Sequence, residues 1–326
     1  MTDLSAILSE LNPAQQQAVT VDPGPVLVLA GPGSGKTRVL TYRVAYLIGA
    51  QGVDPHTILA VTFTNKAARE MRDRLDALIG AGQSAALTVG TFHSICARFL
   101  RRDIVHLGRE RDFAIYDTDD QLRVMKRVLR DLNLDEKKHP PRAIHAAILR
   151  AKNELITPSD YSRQARSYFE EVTARCFARY QELLRDSNAL DFDDLLVETV
   201  RLFDQHPAVL ERYQERYRFL LADEYQDTNR AQYVLLKQLA ARHRNIFVVG
   251  DEDQSVYAFR GADIRNILSF EHDYPDARVI LLEQNYRSTQ AILDVAQAVI
   301  NRSTQRRREK RLWTHNGSGA KVQGID

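Results

Sequence analysis

Val26-Leu27-Val28-Leu29-Ala30-Gly31-Pro32-Gly33-Ser34-Gly35-Lys36-Thr37 is the stretch from which the rest of the chain is read. Five apolar residues give out into a glycine-rich loop, a Lys-Thr pair follows, and 38–48 can be helical. That is the order strand, phosphate-binding loop, helix. Glycines let backbone N–H groups curl around a phosphate. The helix N-terminus adds about half a positive charge at the same place. Lys36 can reach the β and γ phosphates, and the Thr37 hydroxyl can hold Mg²⁺. The pattern is A-x-x-x-x-G-K-T, with Ala30 where the strict form has Gly.

A loop of this kind needs a carboxylate partner. Phe219-Leu220-Leu221-Ala222 reads as a strand and runs into Asp223-Glu224. Asp223 is placed to hold Mg²⁺ beside Thr37, directly or through water. Glu224 is placed to orient and deprotonate an attacking water. Together the two stretches point to nucleoside triphosphate hydrolysis.

The 326 residues are enough for two domains, and 44% apolar with 27% charged content is that of a soluble globular chain. A net charge of +2 means that any nucleic-acid contact uses a local basic surface, not a bulk excess. Cys96 and Cys176 are far apart, which argues for a reducing compartment and against structural zinc. Residues 1–10 contain no basic residue and no long apolar run, so no signal peptide is expected there. The apolar runs are strand-length, so no membrane span is expected, and the expected location is cytoplasmic.

Upstream of the loop, Asn12 and Pro13 have the character of a helix start. Gln15 either reads the edge of an adenine through its amide or faces solvent. Downstream, 58–63 and 87–91 read as strands, 64–78 and 93–106 as helices. This alternation predicts a parallel sheet covered on both faces, with ligands beyond the C-terminal ends of its strands. Phe63 and Thr91-Phe92-His93 fall at such ends, where an aromatic ring either stacks on a base or packs in the core.

From 108 to 186 the pattern is helices only, with Thr118-Asp119-Asp120-Gln121 as a capping box. This block reads as an insertion. Its Arg123, Lys126, Arg127, Arg130, Arg150 and Lys152 either touch a phosphate backbone or form a solvated face. The α/β pattern then resumes, with strands at 219–222, 246–250 and 279–282 and helices at 192–204, 207–217, 229–240 and 289–301. Residues 302–311 are strongly basic.

Asp223-Glu224-Tyr225-Gln226-Asp227-Thr228-Asn229 resembles motif II of the superfamily 1 DNA helicases of the UvrD, PcrA and Rep type. Its companions stand in that family's order. Residues 11–15 resemble the Q motif, 30–37 motif I, 63–68 motif Ia, and 90–94 the next DNA-contact motif. Asp191-Phe192-Asp193-Asp194-Leu195 matches a further block. Residues 250–263 resemble motif III and 282–289 motif IV.

The resemblance implies a RecA-like P-loop NTPase fold, an α/β parallel sheet with helices on both faces and an all-helical inserted subdomain. It places one RecA-like domain at 1–107 and 187–282, the insertion at 108–186, and the start of a second RecA-like domain at 283–326. It implies an ATP-dependent 3′–5′ helicase or single-strand translocase using ATP and Mg²⁺. Gly31, Pro32, Gly33, Ser34, Gly35, Lys36, Thr37 and Arg38 would surround the nucleotide. Gln15 would read the adenine and Tyr286 would stack on it. Gln254 would sense the γ-phosphate, and Arg287 would be an arginine finger. Phe63, Tyr257 and Phe259 would stack on single-stranded bases, with Asn65, Thr91, His93 and Arg260 also at the DNA. Phe259 stands where the family usually has Trp.

The implied partners are single-stranded DNA and single-strand/duplex junctions, bound by a monomer. The family's second lobe carries motifs V and VI, which this sequence lacks. The expectation is that this chain binds ATP–Mg²⁺ and DNA, hydrolyses slowly and does not unwind. The alternative is a non-catalytic lobe that binds DNA or a partner, with nucleotide as a structural ligand.

Overall fold

The computed structural model describes residues 8–254, 263–301 and 310–322. The strands are β1 Val26–Ala30, β2 Ile58–Thr62, β3 Thr88–Thr91, β4 Ala114–Tyr116, β5 Ala189–Asp191, β6 Phe219–Ala222, β7 Ile246–Gly250, β8 Arg278–Leu282, β9 Gln284–Asn285 and β10 Trp313–Thr314. Six of them form one sheet in the order β3-β2-β6-β7-β1-β8, and every pair in it is parallel. Every residue of β1, β2 and β7 is buried. Strands closed off from water on both faces are apolar along almost their whole length, Thr62 at the end of β2 excepted, which is why they read as nearly unbroken runs. The expected α/β class with a parallel sheet flanked by helices is what the chain adopts.

Two compact units divide the chain. The first comprises Met1–Thr91, Gln214–Thr228 and Leu239–Asp326, and the second Phe92–Tyr213 and Asn229–Gln238. In the first unit, helices Pro13–Thr20, Lys36–Gly49 and Asn65–Ile79 bury Ala18, Val19, Val39, Leu40, Val44, Met71 and Leu75 in the same core as Val26 and Val28 of β1. Each fully buried Leu or Val in such a core contributes about 1.5–3 kcal/mol. Because the six strands are parallel, their C-terminal ends share one rim. The turns at Gly31, Phe63, Asp223, Asp251 and Glu283 all leave from it.

The second unit packs helices Thr118–Asp131, Pro141–Asn153 and Tyr168–Asp186 around Met125, Val128, Leu129, Ile144, Ile148, Phe177, Tyr180 and Leu184. Two details differ from the sequence reading. The block 108–186 is not helices only: β4 pairs in parallel with β5, Ala114 opposite Ala189 and Tyr116 opposite Asp191. Three residues, two of them exposed, are too few to show a period, and their partner lies far along the chain. The helix cap is Asp117, one residue before the expected Thr118. Its carboxylate accepts from the amides of Asp119 and Asp120, and Asp120 completes the box.

The block Asp191-Phe192-Asp193-Asp194 starts the helix Phe192–Gln205 with a reciprocal capping box. Asp191 accepts from the Asp194 amide at 2.8 Å, and Asp194 from the Asp191 amide at 3.1 Å. Lys152, 1% exposed, inserts between the two carboxylates at 2.6 and 2.8 Å. The Tyr180 hydroxyl donates to Asp191 at 3.0 Å and the Gln181 amide to Asp194 at 3.0 Å. Of the basic residues expected at a phosphate backbone or on a solvated face, Lys152 is neither.

Candidate functional site

The phosphate loop owes its shape to backbone conformations that only glycine adopts without strain. Gly33 has φ +66° and Gly35 φ +87°. Asn285 and Arg287 also press on Gly33: a Cβ there would stand 2.8 Å from the Arg287 Cβ and 2.9 Å from the Asn285 Nδ2. Inside the loop, the buried Ser34 hydroxyl donates to the Gly31 carbonyl at 2.7 Å. The helix Lys36–Gly49 starts at Gly35 with no side-chain cap, so its first N–H groups point into the loop uncapped by any side chain.

Strand β1 carries this loop, and β6 lies two places along the sheet, beyond β7. That spacing brings the sequence-predicted residues together. The Thr37 hydroxyl donates to Asp223 Oδ2 at 2.9 Å. Lys36 Nζ lies 2.9 Å from Glu224 Oε2 and donates to Gln254 Oε1 at 3.2 Å. Asp223 is 3% exposed. Burial, then the charge of Glu224, raises its carboxyl to about 6, opposed by the Thr37 hydrogen bond. Glu224 has φ +50°, left-handed backbone that is uncommon in a non-glycine residue. Such conformations cost of order 1–3 kcal/mol and cluster at functional sites.

A hydroxyl and a buried carboxylate side by side are hard oxygen donors suited to Mg²⁺, which takes one or two carboxylates and completes its octahedron with phosphate and water. Among the described residues no three His, Cys, Asp or Glu side chains converge to hold a metal. Thr37 and Asp223 together offer oxygen donors of the kind such a cation takes.

The adenine-side expectations land on one cluster. Gln15 is 1% exposed rather than facing solvent. Its Oε1 accepts from the Asn12 amide at 3.1 Å, and its Nε2 donates to the Ser34 carbonyl at 2.9 Å. One amide thus closes the cap of Pro13–Thr20 and ties that helix to the phosphate loop. The Asn12 side chain donates to the Tyr286 hydroxyl at 2.8 Å and to Gln284 at 3.0 Å. The Tyr286 ring is 46% exposed, and its amide donates to the Gly33 carbonyl at 3.0 Å. Arg287 is exposed, with its amide on Asn285 Oδ1 at 2.8 Å. The Pro32 carbonyl accepts from Asn285 Nδ2 at 2.5 Å. The Arg38 guanidinium is paired with Glu10 at 2.8 Å and lies over the Tyr42 ring.

At the other strand ends, Phe63 is half-buried and Asn65 exposed. Thr91 and Phe92 are buried, at 7% and 1%, which settles Phe92 as core. His93 is half-buried, its ring edge-on to Phe192 with centroids 6.2 Å apart. Burial holds the His93 imidazole below its ordinary value. Tyr257, Phe259 and Arg260 lie outside the described residues.

Sequence reasoning passed over Gln226, Asp251 and Asn285, although each stands within a quoted motif. Gln226 is 1% exposed. It donates to Glu224 Oε2 at 2.8 Å and accepts from the Asp251 amide at 2.9 Å. Gly250 makes room for it: a Cβ there would stand 2.8 Å from Gln226 Oε1.

A family model described as the UvrD/REP helicase N-terminal domain matches residues 11–275. The protein named ATP-dependent DNA helicase PcrA of Bacillus subtilis (strain 168) is 54% identical over 316 residues, 97% of this chain and 42% of that protein. The protein of the same name in Staphylococcus aureus (strain Mu50) is 50% identical over 319 residues, 98% of this chain and 43% of its own length. The Staphylococcus epidermidis protein is 49% identical over 320 residues, 98% of this chain and 44% of its own. The chain therefore spans about two-fifths of the length of these curated relatives. With the phosphate loop, the acidic pair at the end of β6 and the matched span all in agreement, the chain belongs to the UvrD/REP helicase N-terminal domain family.

Proposed function

We propose that this chain is the ATP-binding part of a cytoplasmic 3′–5′ DNA helicase that couples ATP hydrolysis to translocation on single-stranded DNA and unwinding at junctions. The observation that carries the reading is the convergence of Lys36, Thr37, Asp223, Glu224 and Gln254 at one end of one sheet. The names that these relatives carry support it. On this reading 1–107 and 187–282 form the RecA-like lobe, 108–186 the insertion, and 283–326 the first part of a second lobe.

Lys36 exchanges Glu224 and Gln254 for the β and γ phosphates. This releases Glu224 to accept a proton from the attacking water. Thr37 and Asp223 hold Mg²⁺, which when bound neutralises charge on the phosphates. Gln254 reports the γ-phosphate, and Arg287, exposed beside the loop, turns in as the arginine finger. Gln15 and Tyr286 take the adenine. Phe63, Tyr257 and Phe259 stack on bases, and Asn65, Thr91, His93 and Arg260 also contact the DNA. Stacking is worth about 1–3 kcal/mol per base and tolerates any sequence, as a translocating motor requires.

Steady-state ATPase measurements on this 326-residue chain, with and without single-stranded DNA, test the proposal. Hydrolysis that DNA stimulates and Glu224→Gln abolishes is the expected result. Nucleotide binding with no hydrolysis in any condition would favour a lobe that uses nucleotide as a structural ligand.

A further inference from the structure

Lys310 is a buried cation that none of the assigned roles uses. It is 1% exposed. Its Nζ is in contact with Asp251 Oδ1 and lies 3.1 Å from Asp253 Oδ2. Asp251, at 0% exposure, stands directly after β7. Its other carboxylate oxygen accepts from the Gln254 side-chain amide, and Gln254 Oε1 in turn accepts from Lys36 at 3.2 Å. A continuous polar path therefore runs from Lys310 through Asp251 and Gln254 to the lysine of the phosphate loop. Gln226 closes a second route, from the Asp251 amide to Glu224 and so back to Lys36.

The segment bearing Lys310 is anchored on the same loop. A Cβ at Gly31 would collide with Leu312. The Arg311 amide donates to Glu283 Oε1 at 2.7 Å, and Trp313 and Thr314 pair with Gln284 and Asn285. The segment thus joins the loop, the turn after β7 and the turn after β8.

We propose that Lys310 is a positioning residue that sets Gln254 at the γ-phosphate by fixing the Asp251 carboxylate, so that a shift of the 310–314 segment is felt at the nucleotide. This deepens the ATP-site reading and rests on it. A buried carboxylate that lost its cation would turn to the nearest remaining donors. Asp251 would then pull on Gln254 from a different geometry. The role of Lys310 is one of orientation and not of charge at the phosphates: its ion partners are Asp251 and Asp253, and its path to Lys36 runs through Gln254.

The test compares wild type with Lys310→Met and Lys310→Arg in the full chain. Circular dichroism establishes that each variant is folded at the assay temperature. ATP affinity in Lys310→Met stays within about twofold of wild type, because Lys36, Thr37 and Asp223 are intact. DNA-stimulated turnover at saturating ATP falls on the order of 10–100-fold, the effect of a misplaced group near the chemistry. Lys310→Arg restores part of it. Lys310→Met added to Gln254→Ala causes no further loss, since both act through one amide. Equal loss of affinity and turnover, or additive losses in the double variant, would overturn the proposal.

A second readout does not need hydrolysis. With glutamine-selective ¹⁵N labelling, the Gln254 side-chain amide signal, identified by its loss in Gln254→Ala, moves in Lys310→Met and returns towards its place in Lys310→Arg. An unmoved signal would also overturn the proposal. Wild type that binds no nucleotide would refute the ATP-site reading instead, leaving this readout to decide the role of Lys310.

Discussion

Replacing Lys152 with Met should be among the most damaging single changes in the second compact unit. Methionine keeps the length of the aliphatic stem and removes the charge. Lys152 is 1% exposed, and its partners Asp191 and Asp194 are 0% and 1% exposed. With ion-pair distances of 2.6 and 2.8 Å it is the one cation in contact with both carboxylates among the described residues. Truncating one side of a buried pair costs about 3–5 kcal/mol, because the remaining charge stays buried and unpaired. That is a large share of the roughly 5–15 kcal/mol that holds a typical domain together. Amide hydrogen exchange in helices Tyr168–Asp186 and Phe192–Gln205 reads the loss in this unit specifically, where global melting would mix two units. Adding Asp191→Asn to Lys152→Met should recover much of the protection. Asparagine keeps the helix cap, and one positive and one negative charge leave together. The reasoning fails if Lys152→Met costs less than about 1 kcal/mol, the range of an exposed pair.

His145 is 6% exposed, and its Nε2 has no hydrogen-bond partner among the described residues. Burial, with Lys152 nearby, lowers its imidazole to about 4. The unfolded chain takes up that proton near pH 6.5, so the contribution is complete above about 6.5 and is lost as pH falls towards 4, by about 3 kcal/mol. Asp193, raised to about 7 by burial and Asp191, works in the opposite direction. The difference between wild type and His145→Phe across pH 4–7 isolates the histidine; an unchanged pH profile would refute it. Gly33 and Gly52 have nearly equal φ, +66° and +65°, but only Gly33 has atoms within 4 Å of an added Cβ. Gly52→Ala should cost about 1 kcal/mol by denaturation, and Gly33→Ala more than that, with loss of nucleotide binding. Equal costs would mean that Asn285 and Arg287 yield freely. Asn285→Ala removes the bond to the Pro32 carbonyl and leaves the Arg287 and Ser288 amides without their acceptor. It should weaken nucleotide binding about tenfold in a fluorescence titration while leaving Lys36 in place.

What could be read from the chain alone follows burial. Strands β1, β2 and β7 were legible because a strand covered on both faces is apolar at nearly every position, with only Thr62 polar among the three. The Lys36, Thr37, Asp223 and Glu224 set was legible because parallel strands deliver their C-terminal turns to one rim. The pairing of β4 with β5 was not, because Ala114–Tyr116 is short and largely exposed and its partner is remote in sequence. The cap at Asp117 is not distinguishable from one at Thr118 in sequence, because Asp117-Thr118-Asp119-Asp120 offers two overlapping frames, and only the backbone chooses between them. Lys152 and Lys310 look like surface cations in sequence. Nothing local says that each is buried against a pair of aspartates. Gln15 could be recognised as polar and near the loop, but its burial against the Ser34 carbonyl is a tertiary fact.

The proposed ATPase requires one magnesium triphosphate held jointly by the loop after β1 and the acidic pair after β6. Calorimetric titration of ATP into wild type and Lys36→Ala, each with and without Mg²⁺, addresses this directly. One nucleotide per wild-type chain, tighter with Mg²⁺ and undetectable in Lys36→Ala, is the predicted result. Equal affinity in the two proteins, indifferent to Mg²⁺, would contradict it.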